Sequence, residues 1–113
     1  MAGKRPKKYD ISSISDKIAV NWSPINIARV NESVVRIVKI EGEFNWHAHN
    51  EEDEFFLIIE GSAVIQTDEG DVNLEKGEGV LIPHGLRHCS RSDNGAVMLV
   101  FEPWTTKTRG DQS

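Results

Sequence analysis

The chain has 113 residues, 13 Lys and Arg against 18 Asp and Glu, a formal net charge of −5 and 38% hydrophobic residues. That length suits one core, and a net acidic domain is a poor match for the phosphates of nucleic acid. No apolar run approaches the ~20 residues of a membrane helix, and no apolar segment follows the basic N-terminus as a secretory signal would require. Cys89, the single cysteine, has no disulfide partner in the sequence and suits a reducing compartment. The expectation is a soluble, cytoplasmic domain with no nucleic acid and no membrane as partner.

Residues 1–16 read as a flexible basic N-terminal arm: Lys4, Arg5, Lys7 and Lys8, then the polar stretch Ser12-Ser13-Ile14-Ser15-Asp16. The domain proper spans 17–104. Its apolar runs are Ile18–Trp22, Ile25–Val30, Val34–Ile40, Phe44–His49, Glu54–Ile59, Ser62–Gln66, Val72–Leu74, Val80–Ile82, Leu86–Ser90 and Ala96–Glu102. Between them sit Gly, Asn and Asp, which tolerate the backbone angles of tight turns. The runs are rich in Val, Ile and Phe, and none keeps a 3.6-residue period, so they predict about ten strands of an all-β barrel or sandwich. Residues 105–113 hold no large apolar side chain and read as a polar C-terminal tail.

Phe55-Phe56-Leu57-Ile58-Ile59 is apolar on both faces, whereas a strand with one wet face should alternate. Its outer face is therefore expected to be covered by a second sheet or a partner subunit, and a homodimer follows as an expectation.

The chemistry-bearing residues lie in two segments. In the first, His47 and His49 stand two apart on a strand and project to one face. The chain turns through Asn50–Asp53, and Glu54 opens the next strand on the face shared by Phe56 and Ile58. In the second, Gly77, Gly79 and Pro83-His84-Gly85 make turns that bring His88 in on another strand. Three imidazoles and one carboxylate suit a divalent transition-metal ion (Fe, Mn, Ni, Co, Cu or Zn).

These segments resemble the two motifs of the cupin superfamily, in its small single-domain form. Gly42, His47, His49, Glu54 and Gly61 follow the first motif with one interval a residue short. Gly77, Pro83, Gly85 and His88 follow the second, with Ser92 where Asn is common. The resemblance implies a jelly-roll β-barrel with an interior metal ion held by His47, His49, Glu54 and His88. Glu52 and Asp53 then read as a solvated acidic turn, because the motif spacing selects Glu54.

The remaining candidates carry weaker expectations. His84 reads as a surface turn residue and Cys89 as a packed thiol pointing away from the metal. Phe44 and Trp46 alternate with the histidines and are expected to pack on the outer side. Arg29 and Arg36 are expected on the solvent face with their stems packed, although either could reach a pocket to hold a carboxylate. Glu102 and Trp104 could close the barrel mouth. The resemblance implies a metalloenzyme acting on a small oxygenated molecule (a sugar derivative, keto acid or diol) by isomerase, lyase or dioxygenase chemistry. The alternative is a non-catalytic, metal-dependent binding or sensor module.

Overall fold

The computed structural model describes residues 4–111; the first three residues of the expected arm and the last two of the expected tail lie outside the described residues. Residues 4–10 are exposed. Asp10 caps a short helix, α1 (Ile11–Asp16), by accepting the Ser13 amide at 3.1 Å, which satisfies one of the free donors of a helix start.

Seven strands follow among the described residues: β1 (Ile25–Val30), β2 (Ser33–Glu43), β3 (Glu54–Gly61), β4 (Ala63–Thr67), β5 (Val72–Leu74), β6 (Gly79–Ile82) and β7 (His88–Pro103). The all-β expectation holds, but the strand count falls for three reasons. Ile18–Trp22 forms no strand, because the chain turns at Trp22 with φ 63°. Phe44–His49 gives only an isolated bridge between His47 and His88. Leu86–Ser90 and Ala96–Glu102 fuse into β7, since Gly95 takes φ 93° without ending the strand, and its partner slips register between Ile40 and Gly42. Glycine at positive φ here makes a bulge and a bend where a turn was expected.

β7 organises the molecule. The sheet runs β1-β2-β7-β3-β6, with β4 pairing both β5 and β7, and all pairings are antiparallel. The C-terminal half of β7 lies between β2 and β3, while its N-terminal part pairs with β4 from Val64↔Arg91 to Thr67↔His88. One bent strand thus serves both walls of the barrel. Its inward residues Ala96, Met98 and Val100 join Val38, Ile40, Phe56, Ile58, Ile65, Leu74 and Ile82 in one buried cluster. Each large side chain there contributes about 1.5–3 kcal/mol by leaving water.

The outer face of β3 is less covered than expected. Phe55 is 38% exposed and pairs with Leu81 and Phe101, themselves 59% and 38% exposed. Together they draw an apolar stripe across β6, β3 and β7.

Candidate metal centre

The four candidate side chains meet inside the barrel. His47 and His88 exchange backbone hydrogen bonds at 2.9 Å in each direction, so the bridge sets their rings side by side with centroids 4.4 Å apart. His49 follows two residues after His47, its ring centroid 5.1 Å away. Glu54 heads β3, and its Oε1 stands 3.1 Å from Nε2 of both His49 and His88. One ligand atom from each of the four lies within 4.8 Å of the others, and all four residues are buried.

The donor set fits a cation. Nε2 of His49, Nε2 of His88 and Oε1 of Glu54 are buried without a hydrogen-bond partner, an arrangement that is costly unless something binds them. Nδ1 of His47 donates to the Asn45 carbonyl and Nδ1 of His88 to the Leu86 carbonyl, each at 2.9 Å. Those bonds place the ring proton on Nδ1 and leave Nε2 as a bare lone pair aimed inward, the form a metal takes.

The local electrostatics favour the same state. Burial works against ionising Glu54, but the adjoining His49, His88 and Glu102 outweigh it and hold the carboxyl far below its usual range. Burial lowers the pKa of His47, only partly opposed by the Asn45 carbonyl. Burial also disfavours charge on His49, yet Glu54, with Asp111 and Glu52 farther out, outweighs it and raises that pKa.

Two further ionisable residues line the cavity. Glu102 is 4% exposed and follows Ala96, Met98 and Val100 on the inward face of β7. Burial and then the neighbouring Glu54 carboxylate push its pKa up to about 9, against the pull of Arg36. Of the two carboxyls, Glu102 is therefore the one that keeps its proton at neutral pH. Arg36 does not face solvent as expected: it is 8% exposed, and its Nη1 donates to Glu102 Oε2. Its position on β2 turns it inward, where Nε donates to Asn26 Oδ1 at 2.8 Å, Nη1 to the Thr106 carbonyl at 3.1 Å and Nη2 to the Trp104 carbonyl at 3.2 Å. Glu102 does not cap the barrel mouth but sits inside it.

Phe44 also departs from its expected outer position. It lines the cavity beside Trp22, Arg36, His47, Glu54, Phe56, Glu102 and Thr108. Tied to β7 by the Phe44 amide on the Ser90 carbonyl and by the His47 bridge, this segment is not a regular strand, so alternation does not fix its faces. Trp46 does pack elsewhere, under the Arg87 guanidinium at 5.1 Å.

The polar segment after β7 lies back across the centre. Asp111 donates its amide to the Ala48 carbonyl and accepts the Asn50 amide at Oδ2, both at 2.9 Å. Arg109 donates to Asn45 Oδ1 at 3.1 Å and stands 4.9 Å from the Phe44 ring centre. Glu52, half-buried, accepts from Thr105 and lies with Asp111 beside His49. The remaining candidates lie apart. His84 is exposed and pairs with Asp53 at 2.8 Å, Arg29 covers Trp104 at 4.1 Å, Cys89 is fully buried, and Ser92 donates to the Ser62 carbonyl at 2.7 Å. The alternation Ala96, Met98, Val100 carried a signal for Glu102; nothing local announced Asp111.

The description "Cupin domain" matches residues 33–102, more than half of the chain. An uncharacterized protein of Bacillus subtilis (strain 168), YdbB, is 31% identical over 97 residues, 85% of this chain and 86% of that one. The crystal structure of a cupin-2 domain containing protein from Shewanella frigidimarina NCIMB 400 has a TM-score of 0.82 at 32% identity, covering 84% of this chain and 93% of that one. Hydroquinone 1,2-dioxygenase PnpCD, solved with Cd2+ and 4-hydroxybenzonitrile, shares the fold at 17% identity and a TM-score of 0.72, covering 83% of this chain and 71% of that one. With its all-β barrel and its inward His and Glu cluster, this chain belongs to the cupin family.

Proposed function

We propose that this cupin holds one divalent transition-metal ion through His47, His49, Glu54 and His88, and uses it as an enzyme on a small oxygenated molecule. The observation that carries the reading is the set of buried, unpartnered ligand atoms, Nε2 of His49, Nε2 of His88 and Oε1 of Glu54, facing one another beside the cavity. A bound ion supplies a Lewis acid for a substrate oxygen, and a redox-active one supplies oxygen chemistry. The chain's own groups do the rest. The carbonyls of Asn45 and Leu86 hold two imidazoles in the ligand tautomer. Glu102 keeps a proton beside Glu54, and the apolar walls of Val38, Ile40 and Met98 limit water. Isomerase, lyase and dioxygenase chemistry are all compatible with this arrangement; the solved dioxygenase of the same fold, with its bound Cd2+, supports the metal reading by analogy.

Elemental analysis of the purified protein beside His49→Ala and Glu54→Ala tests the proposal. Near-stoichiometric metal in the wild type, lost in both variants, is the expected result; a wild type that stays metal-free after reconstitution sinks it. Ligands that raise the melting temperature yet are never turned over would redefine the protein as a binding module. The stripe of Phe55, Leu81 and Phe101 supports a homodimer as the assembled form. No helix among the described residues is long and apolar enough to cross a membrane. A cytoplasmic location is proposed from the lone, fully buried Cys89.

A further inference from the structure

Trp22 has φ 63°, a conformation that is a genuine outlier for a bulky residue and that persists only where surrounding bonds impose it. Two bonds from β2 do so: the Trp22 amide donates to the Lys39 carbonyl at 2.8 Å, and its indole Nε1 donates to the Glu41 carbonyl at 3.0 Å. The indole that results is stacked on Phe44 at 4.7 Å and 16°, and Phe44 meets the His47 ring edge-on at 5.5 Å. Both aromatic rings line the cavity. Strain is thus held in place to carry an aromatic wall up to a candidate metal ligand.

The polar groups of the cavity form one connected edge. His47 and Glu54 belong to the metal cluster, Glu102 adjoins Glu54, and Arg36 donates to Glu102. Arg36 already makes four hydrogen bonds to the protein, so it is not poised to hold a ligand's anion. Most of the remaining lining is apolar: Pro24, Val38, Ile40, Phe56, Met98 and Val100. A sugar, with a hydroxyl on nearly every carbon, would bury several polar groups against walls that cannot pair them. A flat ring with its oxygens gathered on one side satisfies both halves of the cavity.

We propose that the cavity takes a small, flat, largely apolar ring bearing adjacent oxygens, of catechol type, and that Trp22 and Phe44 select it against sugars. This inference rests on the metal reading above, since the ion would receive the ligand's oxygen edge. The Phe44 and Trp22 rings would receive the apolar body through aromatic contact.

The test is isothermal titration of the metal-loaded full chain with catechol and with D-xylose, metal content being measured before and after. Catechol should bind at least tenfold more tightly than D-xylose. Trp22→Ala should weaken catechol at least tenfold with the metal retained, while Trp22→Phe should keep most of the affinity. Should Trp22→Ala fail to fold by circular dichroism, Phe44→Leu reads the same wall. A metal-loaded protein that binds D-xylose as tightly as catechol, or whose catechol affinity ignores both substitutions, overturns the inference alone. A protein that takes up no metal overturns the metal reading and this inference with it.

Discussion

Arg36 and Glu102 meet in a buried hydrogen bond diagonally across the β2–β7 ladder: Arg36 is in register with Val100, and Glu102 with Val34. The pair is also a clasp. The same guanidinium holds the carbonyls of Trp104 and Thr106, so it ties the root of the C-terminal segment to the barrel wall. Arg36→Met leaves the Glu102 carboxyl buried without its donor and frees that root. We expect a loss of about 1–3 kcal/mol, the usual cost of leaving a buried polar group unpaired, and faster proteolytic cleavage after Trp104. Adding Glu102→Leu to Arg36→Met should restore at least half of the lost stability, because the unpaired carboxyl is gone. Urea melts of the two variants decide it; a double variant as weak as the single one would rule out the clasp.

The proton on Glu102 makes the metal-free protein sensitive to alkali. Its folded pKa, pushed up to about 9 by burial and by Glu54, exceeds the ordinary value of 4.5. Between those values the folded chain keeps a proton that the unfolded chain has released, so stability falls as pH rises through this window. His47, lowered by burial, opposes the trend only below its ordinary value of 6.5, and His49, raised by Glu54 over the cost of burial, adds to it above. Glu54 is shifted downward and acts only on the acid side. The urea midpoint of chelator-treated protein should therefore drop from pH 7 to pH 9, and Glu102→Gln should flatten that drop. Parallel profiles in the two proteins would show that Glu102 carries no such proton.

Metal binding stabilises whatever it binds selectively. An ion at about 100 times its dissociation constant adds about 2.7 kcal/mol, which for a domain near this size means a melting temperature higher by roughly 10–20 °C. Scanning calorimetry with and without chelator should show it in the wild type and not in His88→Ala. Equal melting temperatures in the wild type would show that no ion is held in the folded state.

How the C-terminal segment reaches the centre is testable at Gly110. A Cβ there would stand 2.7 Å from His47 Cβ and 2.9 Å from the Ala48 carbonyl oxygen, and the backbone has φ 84°. Gly110→Ala should lift the segment and carry Asp111 away from His49, lowering metal affinity about 10–100-fold, as loss of an orienting contact does. Gly70→Ala is the control, since its φ is 111° but nothing lies within 4 Å; it should cost about 1–3 kcal/mol of strain without changing affinity. Competition with a chelating dye measures both, and identical affinities would detach the segment from the centre's function.

The four candidate ligands were legible because their geometry is local: two residues apart in one short segment, one residue opening the next strand, and a Gly-Pro-Gly turn frame ahead of the last. Arg36 and Glu102 were harder. Each stands in an apolar strand where a charge ordinarily faces water, and only the β2–β7 register shows that both point inward. Residues 105–111 were hardest, because their polar composition is that of an unattached tail; their fixation depends on carbonyls of Ala48 and side chains of Asn45 and Glu52 far away in sequence. Trp22 was hidden for another reason: positive φ at a tryptophan has no sequence signature.

Phe55, Leu81 and Phe101 supply the last prediction. Leu81 and Phe101 are both in register with Phe55, so the three side chains lie in line on the outer face, away from the metal cluster that Glu54 and Phe56 adjoin from within. A large exposed apolar patch on a soluble surface commonly marks an interface, and a second copy offers the same stripe to itself in a two-fold dimer. Leu81→Glu places a charge in the middle of such a contact. Sedimentation velocity should give a dimer for the wild type and a monomer for the variant, with metal content unchanged because the substitution lies on the opposite face of β6 from Ile82. A wild type that sediments as a monomer at micromolar concentrations would leave the stripe without a second copy to cover it, and the homodimer would be abandoned.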